Sequence, residues 1–152
     1  MRRDLVLDII SNKPGIGFNE IVRQTKLSNG VISHYILQLL KDEEITKSGV
    51  RAKYFTKNIS EEDKKLIIIL SNPTILQIVK VLQEEGPLRS KNLAKMIGKS
   101  ISTISINLKK MENAKIISRR IMNEEEKITS DIGYEISNKK LLKEIISKYK
   151  VK

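Results

Sequence analysis

A gapless shift of 72 residues lays the first part of the chain on the second, and nothing else in the sequence constrains the fold as much. The shift puts Ser28 on Ser100, Ile32 on Ile104 and Ser33 on Ser105. It puts Ile9 and Ile10 on Val81 and Leu82, Ile21 and Val22 on Leu93 and Ala94, Leu39 on Met111 and Ile45 on Ile117. Pro14-Gly15 falls on Gly86-Pro87. Apolar positions often agree by chance in helical sequence, whereas turn, cap and strand start agree together only in a duplicated unit. Two copies in 152 residues predict two similar small domains rather than a solenoid, which needs three or more units.

In the first copy, Asp4 to Ser11 carries Leu5, Val6, Ile9 and Ile10 and predicts a helix. Pro14-Gly15 ends it, because proline cannot continue a helix and glycine tolerates the turn. Phe18 to Thr25 predicts a second helix with Ile21 and Val22 inward. Leu27 to Ile45, LSNGVISHYILQLLKDEEI, predicts a third, with Ser28 as N-cap and Ile32, Ile36, Leu39 and Leu40 as one buried stripe. Ile45 to Ser48 and Lys53 to Thr56 are strand-like around Gly49-Val50-Arg51-Ala52. Three helices followed by a hairpin is the order of a winged helix-turn-helix. Ser60 to Ser71 predicts a connecting helix, and Asn72-Pro73 restarts the chain as a cap followed by proline at the first helical position.

The second copy then runs Thr74 to Glu84, Ser90 to Ile97 and Ser100 to Asn113, with strands Ile116 to Met122 and Tyr134 to Ser137. Asn123 to Gly133 forms a longer, more acidic wing. Asn138 caps a last helix, Lys139 to Lys150, whose Leu141, Leu142, Ile145, Ile146 and Tyr149 form an apolar face suited to the domains or to a second chain as a homodimer contact. The predicted fold class is mainly α with small β-hairpin wings (α+β). It divides into winged helix-turn-helix domains at 1–58 and 72–137, a connecting helix at 59–71 and a C-terminal helix at 138–152.

Charge narrows the partner. Lys plus Arg number 29 against 18 Asp plus Glu, a formal charge of +11 that favours a polyanion such as nucleic acid. Residues 1–71 carry 12 basic and 9 acidic groups and residues 72–152 carry 17 and 9, so the attraction to phosphate is concentrated in the second copy. Without cysteine there are no disulfides, thiolate metal sites or cysteine nucleophiles. His34 is the only histidine, which suits a groove contact or a surface residue better than a metal ligand. No nucleophile–base pair or phosphate-cradling glycine loop is present, so neither an enzyme nor a cofactor is expected. The longest apolar run, Leu66 to Leu70, is too short for a bilayer, and MRRDLVLDII lacks signal-peptide features. A soluble cytoplasmic, nucleoid-associated protein with no membrane partner is the expectation.

GKSISTISINLKKMENAKII resembles the turn and recognition helix of MarR- and ArsR-type winged helices, through Ser100, Ser102, Thr103, Ile104, Ser105, Leu108, Lys109, Met111, Ile116 and Ile117. PGIGFNEIVRQTKLSNGVISHYILQLL resembles the N-terminal domain of archaeal tandem winged-helix regulators, through Pro14, Gly15, Phe18, Glu20, Ile21, Asn29, Gly30 and Val31. The resemblance implies a transcriptional regulator that binds double-stranded DNA. Two departures stand out: Asp42-Glu43-Glu44 replaces a small residue and glycine before the first hairpin, and Glu124-Glu125-Glu126 puts three acids in the second wing.

In such a domain the start of the third helix reaches base edges, while the wing and flanking turns hold phosphates. In the first copy that nominates Asn29, Gly30, Ser33, His34 and Gln38 for the groove, with Gln38 suited to adenine and Gly30 to close backbone approach. Arg51 and Lys53 are its phosphate contacts. In the second copy Ser102, Thr103, Ser105, Ile106, Lys109 and Lys110 occupy the corresponding faces, followed by Arg119 and Arg120 on the strand. Ile106 suits a thymine methyl and equally a plain surface isoleucine. Two different reading helices, joined so as to address successive grooves, predict an asymmetric site. The alternative is a winged-helix scaffold for protein–protein contacts in a transcription or RNA-processing assembly, for which Leu37 and the last helix would serve.

Overall fold

The structure is a computed structural model and describes residues 2–123, 131–149 and 151. It separates into two compact units, one made of Met1–Ile68 with Ser147–Val151, the other of Ile69–Ile146. The architecture is mainly α with small antiparallel sheets.

Unit one runs α1 (Arg2–Asn12), β1 (Ile16–Gly17), α2 (Phe18–Thr25), α3 (Asn29–Lys41), β2 (Ile45–Ser48) and β3 (Lys53–Thr56), then α4 (Glu61–Leu70). Val6, Ile10, Ile16, Ile21, Ile32, Ile36, Leu39, Ile45 and Tyr54 form its buried core. Each fully buried aliphatic contributes roughly 1.5–3 kcal/mol of transfer free energy. Leu5 is exposed, since the inward stripe of α1 follows Val6 and Ile10. The hairpin strands match the sequence reading, but β1 was not foreseen. Two residues give no alternation to read, and β1 exists because Ile16 pairs with Tyr54 and Gly17 with Lys53, completing a sheet of order β1-β3-β2.

Unit two runs α5 (Pro73–Glu85), α6 (Ser90–Ile97), α7 (Ile101–Asn113), β4 (Ile117–Ile121), β5 (Ile132–Ile136) and α8 (Lys139–Lys148). Asn72 caps α5 by accepting from the Thr74 and Ile75 amides, and Asn138 accepts from the Leu141 amide to cap α8. On α8, Leu142 and Ile145 are buried while Leu141 is exposed. Strand β5 begins two residues earlier than the Tyr134 start expected, with Gly133 opposite Arg120 and Ile132 opposite Ile121. Glycine disguised it, since a residue without a side chain gives no strand signal. Here it is needed: a Cβ at Gly133 would collide with Met122 and lie 3.2 Å from the Leu88 carbonyl oxygen. Glu124 to Glu126 and the rest of that wing tip lie outside the described residues.

The backbone repeats in the register of the sequence. Ser28 accepts from the Val31 amide and Ser100 from the Thr103 amide, each capping its third helix. Lys26 (φ +58°) and Gly98 (φ +78°) end the second helices in the left-handed region. Glu43 (φ +57°) and Lys115 (φ +61°) adopt it again after the third helices, and Glu43 holds the place of the glycine that the resemblance led one to expect. Glu44 N–H donates to Leu39 O, and Ile116 N–H to Met111 O. Even β1 has a counterpart, for Leu88 lies 72 residues after Ile16 and forms an isolated antiparallel bridge to Tyr134.

Candidate nucleic-acid interface

Helix geometry sorts the third helix of each unit into a core stripe and an opposite, solvent-facing stripe. On α7, Ile104, Leu108 and Met111 are buried, with Asn107 beside them. Its Nδ2 donates to Thr103 O at 3.0 Å and its Oδ1 accepts from Asn72 Nδ2 at 3.5 Å, so this buried amide is satisfied and tied to the cap of α5. The outer stripe is Ser102, Ile106, Lys109 and Asn113, flanked by Ser105 and Lys110, all exposed. Ile106 is 60% exposed, far more than an isoleucine placed for packing. Thr103 differs from its neighbours: half-buried, its hydroxyl accepts from Ser100 Oγ at 2.9 Å, so it belongs to the cap.

On α3, Ile32, Ile36 and Leu39 are buried and the outer stripe is Gly30, His34, Leu37 and Lys41, flanked by Ser33 and Gln38. Asn29 and Gly30 are exposed at the first turn, and a Cβ at Gly30 would meet nothing within 4 Å, so that face is open to close approach. Gln38 Nε2 lies 3.2 Å from His34 Nε2. An amide nitrogen only donates, so this bond requires the imidazole proton on Nδ1. The Gln38 side-chain amide keeps its second N–H and its oxygen without a partner among the described residues.

The wings differ in how their cations are held. Arg51 is exposed in the turn between β2 and β3, and Lys53 is half-buried at the start of β3. In unit two, Arg119 Nε donates to Glu112 Oε2 at 2.9 Å and Arg120 Nη1 to Glu135 Oε2 at 3.2 Å. The hydrogen bond and then the charge of Glu112 raise the Arg119 pKa above its ordinary value. At the base of this wing, Arg89 grips Asp131 with two parallel bonds of 2.6 and 2.9 Å, which lower the carboxyl pKa of Asp131. Arg89, Arg119 and Arg120 are all the arginines of unit two, so each already faces a carboxylate, and Lys109 and Lys110 have no ion pair among the described residues.

In the sequence Leu37 reads only as a protein–protein contact and Lys47 is not singled out, so neither stands among the predicted nucleic-acid contacts. The 72-residue register would have found both, since it puts Leu37 on Lys109 and Lys47 on Arg119. Leu37 is 66% exposed at the centre of the outer stripe of α3, and Lys47 is exposed on β2.

Residues 1–67 match a family described as an N-terminal HTH domain, and residues 71–118 match one described as winged helix-turn-helix DNA-binding. The chain is a tandem winged helix-turn-helix protein. The second match in this tandem protein covers all of α7 and ends on β4, so Arg119, Arg120 and β5 lie beyond it. No curated protein matches the chain. Among the described residues there is no group of side chains suited to a metal ion, and no single helix is long and apolar enough to cross a membrane.

Proposed function

We propose that this tandem winged helix-turn-helix protein is a sequence-specific regulator of transcription. In this reading the domains at 1–58 and 72–137 each lay their third helix in a major groove of double-stranded DNA and set a wing on phosphates. One observation carries it: α7, inside the match to a DNA-binding family, presents Ser102, Ser105 and Ile106 beside Lys109 and Lys110 on an exposed face. Hydroxyls and a methyl-bearing side chain suit base edges, and the two ammonium groups suit the backbone. On α3, Asn29, Gly30, Ser33, His34 and Gln38 offer hydrogen bonding without a lysine at the centre, so this helix selects sequence more than it adds grip. Arg51 and Lys53 are its phosphate contacts, and Arg119 and Arg120 those of unit two. Binding DNA places the protein in the cytoplasm with the nucleoid.

The protein–protein scaffold has one observation of its own, the exposed Leu37 where unit two has Lys109. Exchanging both Lys109 and Lys110 for Glu separates the readings. In a gel-shift series with genomic DNA fragments, DNA binding predicts that the double variant loses at least about 100-fold in affinity through lost counterion release and like-charge repulsion. Unchanged DNA retention by a folded double variant would favour the scaffold.

A further inference from the structure

We propose that Glu112 restrains DNA binding by holding Arg119 off the backbone, so that a phosphate must displace a carboxylate before this guanidinium joins the grip. The proposal rests on the DNA-binding reading above and names a regulating residue within that interface. Successive strand residues point to opposite faces, so Arg119 and Arg120 leave β4 on different sides. Arg119 bonds an acid on α7 itself, which puts it on the side of β4 that faces the recognition helix. Arg120 bonds Glu135 within the hairpin. Arg119 is therefore the wing cation placed to reach DNA together with Lys109.

The pair is asymmetric: the Glu112 side chain is 25% exposed and that of Arg119 is 62% exposed. The carboxylate is the anchored partner, and the guanidinium, with five N–H donors in a fixed fork, keeps open donors toward solvent. Exposed ion pairs are weak, and a backbone phosphodiester offers the same fork a bidentate partner of equal charge, so exchange is close to balanced. The repeat shows that the acid is particular to this unit. At the positions of Glu112 and Arg119, unit one carries Leu40 and Lys47, a wing cation with no helix acid opposite. The more basic copy is thus the one whose wing is held back.

The test uses the full chain and a fluorescently labelled mixed-sequence duplex, with anisotropy read over a range of salt. Glu112→Gln should bind about three- to tenfold tighter at low salt, with a slope steeper by about one phosphate. Glu84→Gln makes the same charge change on an exposed stretch of α5, outside the proposed interface, and should stay within about twofold of the parent, as expected for a solvent-screened charge. The decisive comparison is made in an Arg119→Gln background, where the gain from Glu112→Gln should vanish. A gain that persists there, or no gain at all, overturns the proposal. A parent chain that fails to bind the duplex at any salt instead overturns the underlying reading. Should Glu112→Gln not fold, the arginine Nε–H spectrum of the parent decides: the Arg119 signal should move when duplex is added, and an unmoved signal at saturation contradicts the proposal.

Discussion

Lys26 closes α2 in the left-handed region at φ +58°, a conformation in which an L side chain crowds its own carbonyl. Unit two solves the same turn with Gly98, so the chain contains its own comparison. Lys26→Gly should raise stability by about 0.5–1 kcal/mol, because relief of strain outweighs the extra freedom of glycine in the unfolded chain. Urea unfolding followed by circular dichroism measures it, and a lower midpoint would mean that the Lys26 side chain contributes something its exposure does not show. At this scale the caps were legible, since serine before an apolar helix accepts an orphan amide wherever it occurs. The left-handed turns at Lys26, Glu43 and Lys115 were not, because lysine and glutamate carry no signal for that backbone region. There the turn is imposed by the helix packing on either side of it.

Among the elements, helices announced themselves through their 3.6-residue apolar spacing and short strands did not. β1 and the Leu88–Tyr134 bridge exist only by pairing with a distant strand, and no local pattern of one or two residues can encode that. The second wing is fixed at its base by Arg89 and Asp131, joining the start of α6 to the chain entering β5. The folded pKa of Asp131 is depressed, with the Arg89 hydrogen bond as the main cause. Its contribution is therefore present above the unfolded carboxyl value of about 3.9 and is lost as pH falls through the lower folded value. The parent should melt higher than Asp131→Asn near neutral pH, and the two melting curves should converge as pH falls below about 4. A difference that stays constant down to strongly acid pH would show that the fork contributes through packing rather than charge.

For the whole molecule, the duplication, the order of helices and hairpins and the basic bias of the second copy were all readable, because each is a property of pattern or composition. The interface was readable only as a set of exposed faces. What the sequence hid was pairing: Glu112 and Glu135 hold Arg119 and Arg120, and Thr103 is spent on a cap. On the proposed reading the electrostatic grip accordingly falls to Lys109 and Lys110 on α7, with arginine in reserve. That account is tested most directly by the dissociation constant of the full chain for a mixed-sequence duplex, measured across a series of salt concentrations. Log K against log salt should fall with a slope equivalent to roughly four to eight phosphates, and a slope near zero would contradict DNA binding by this surface.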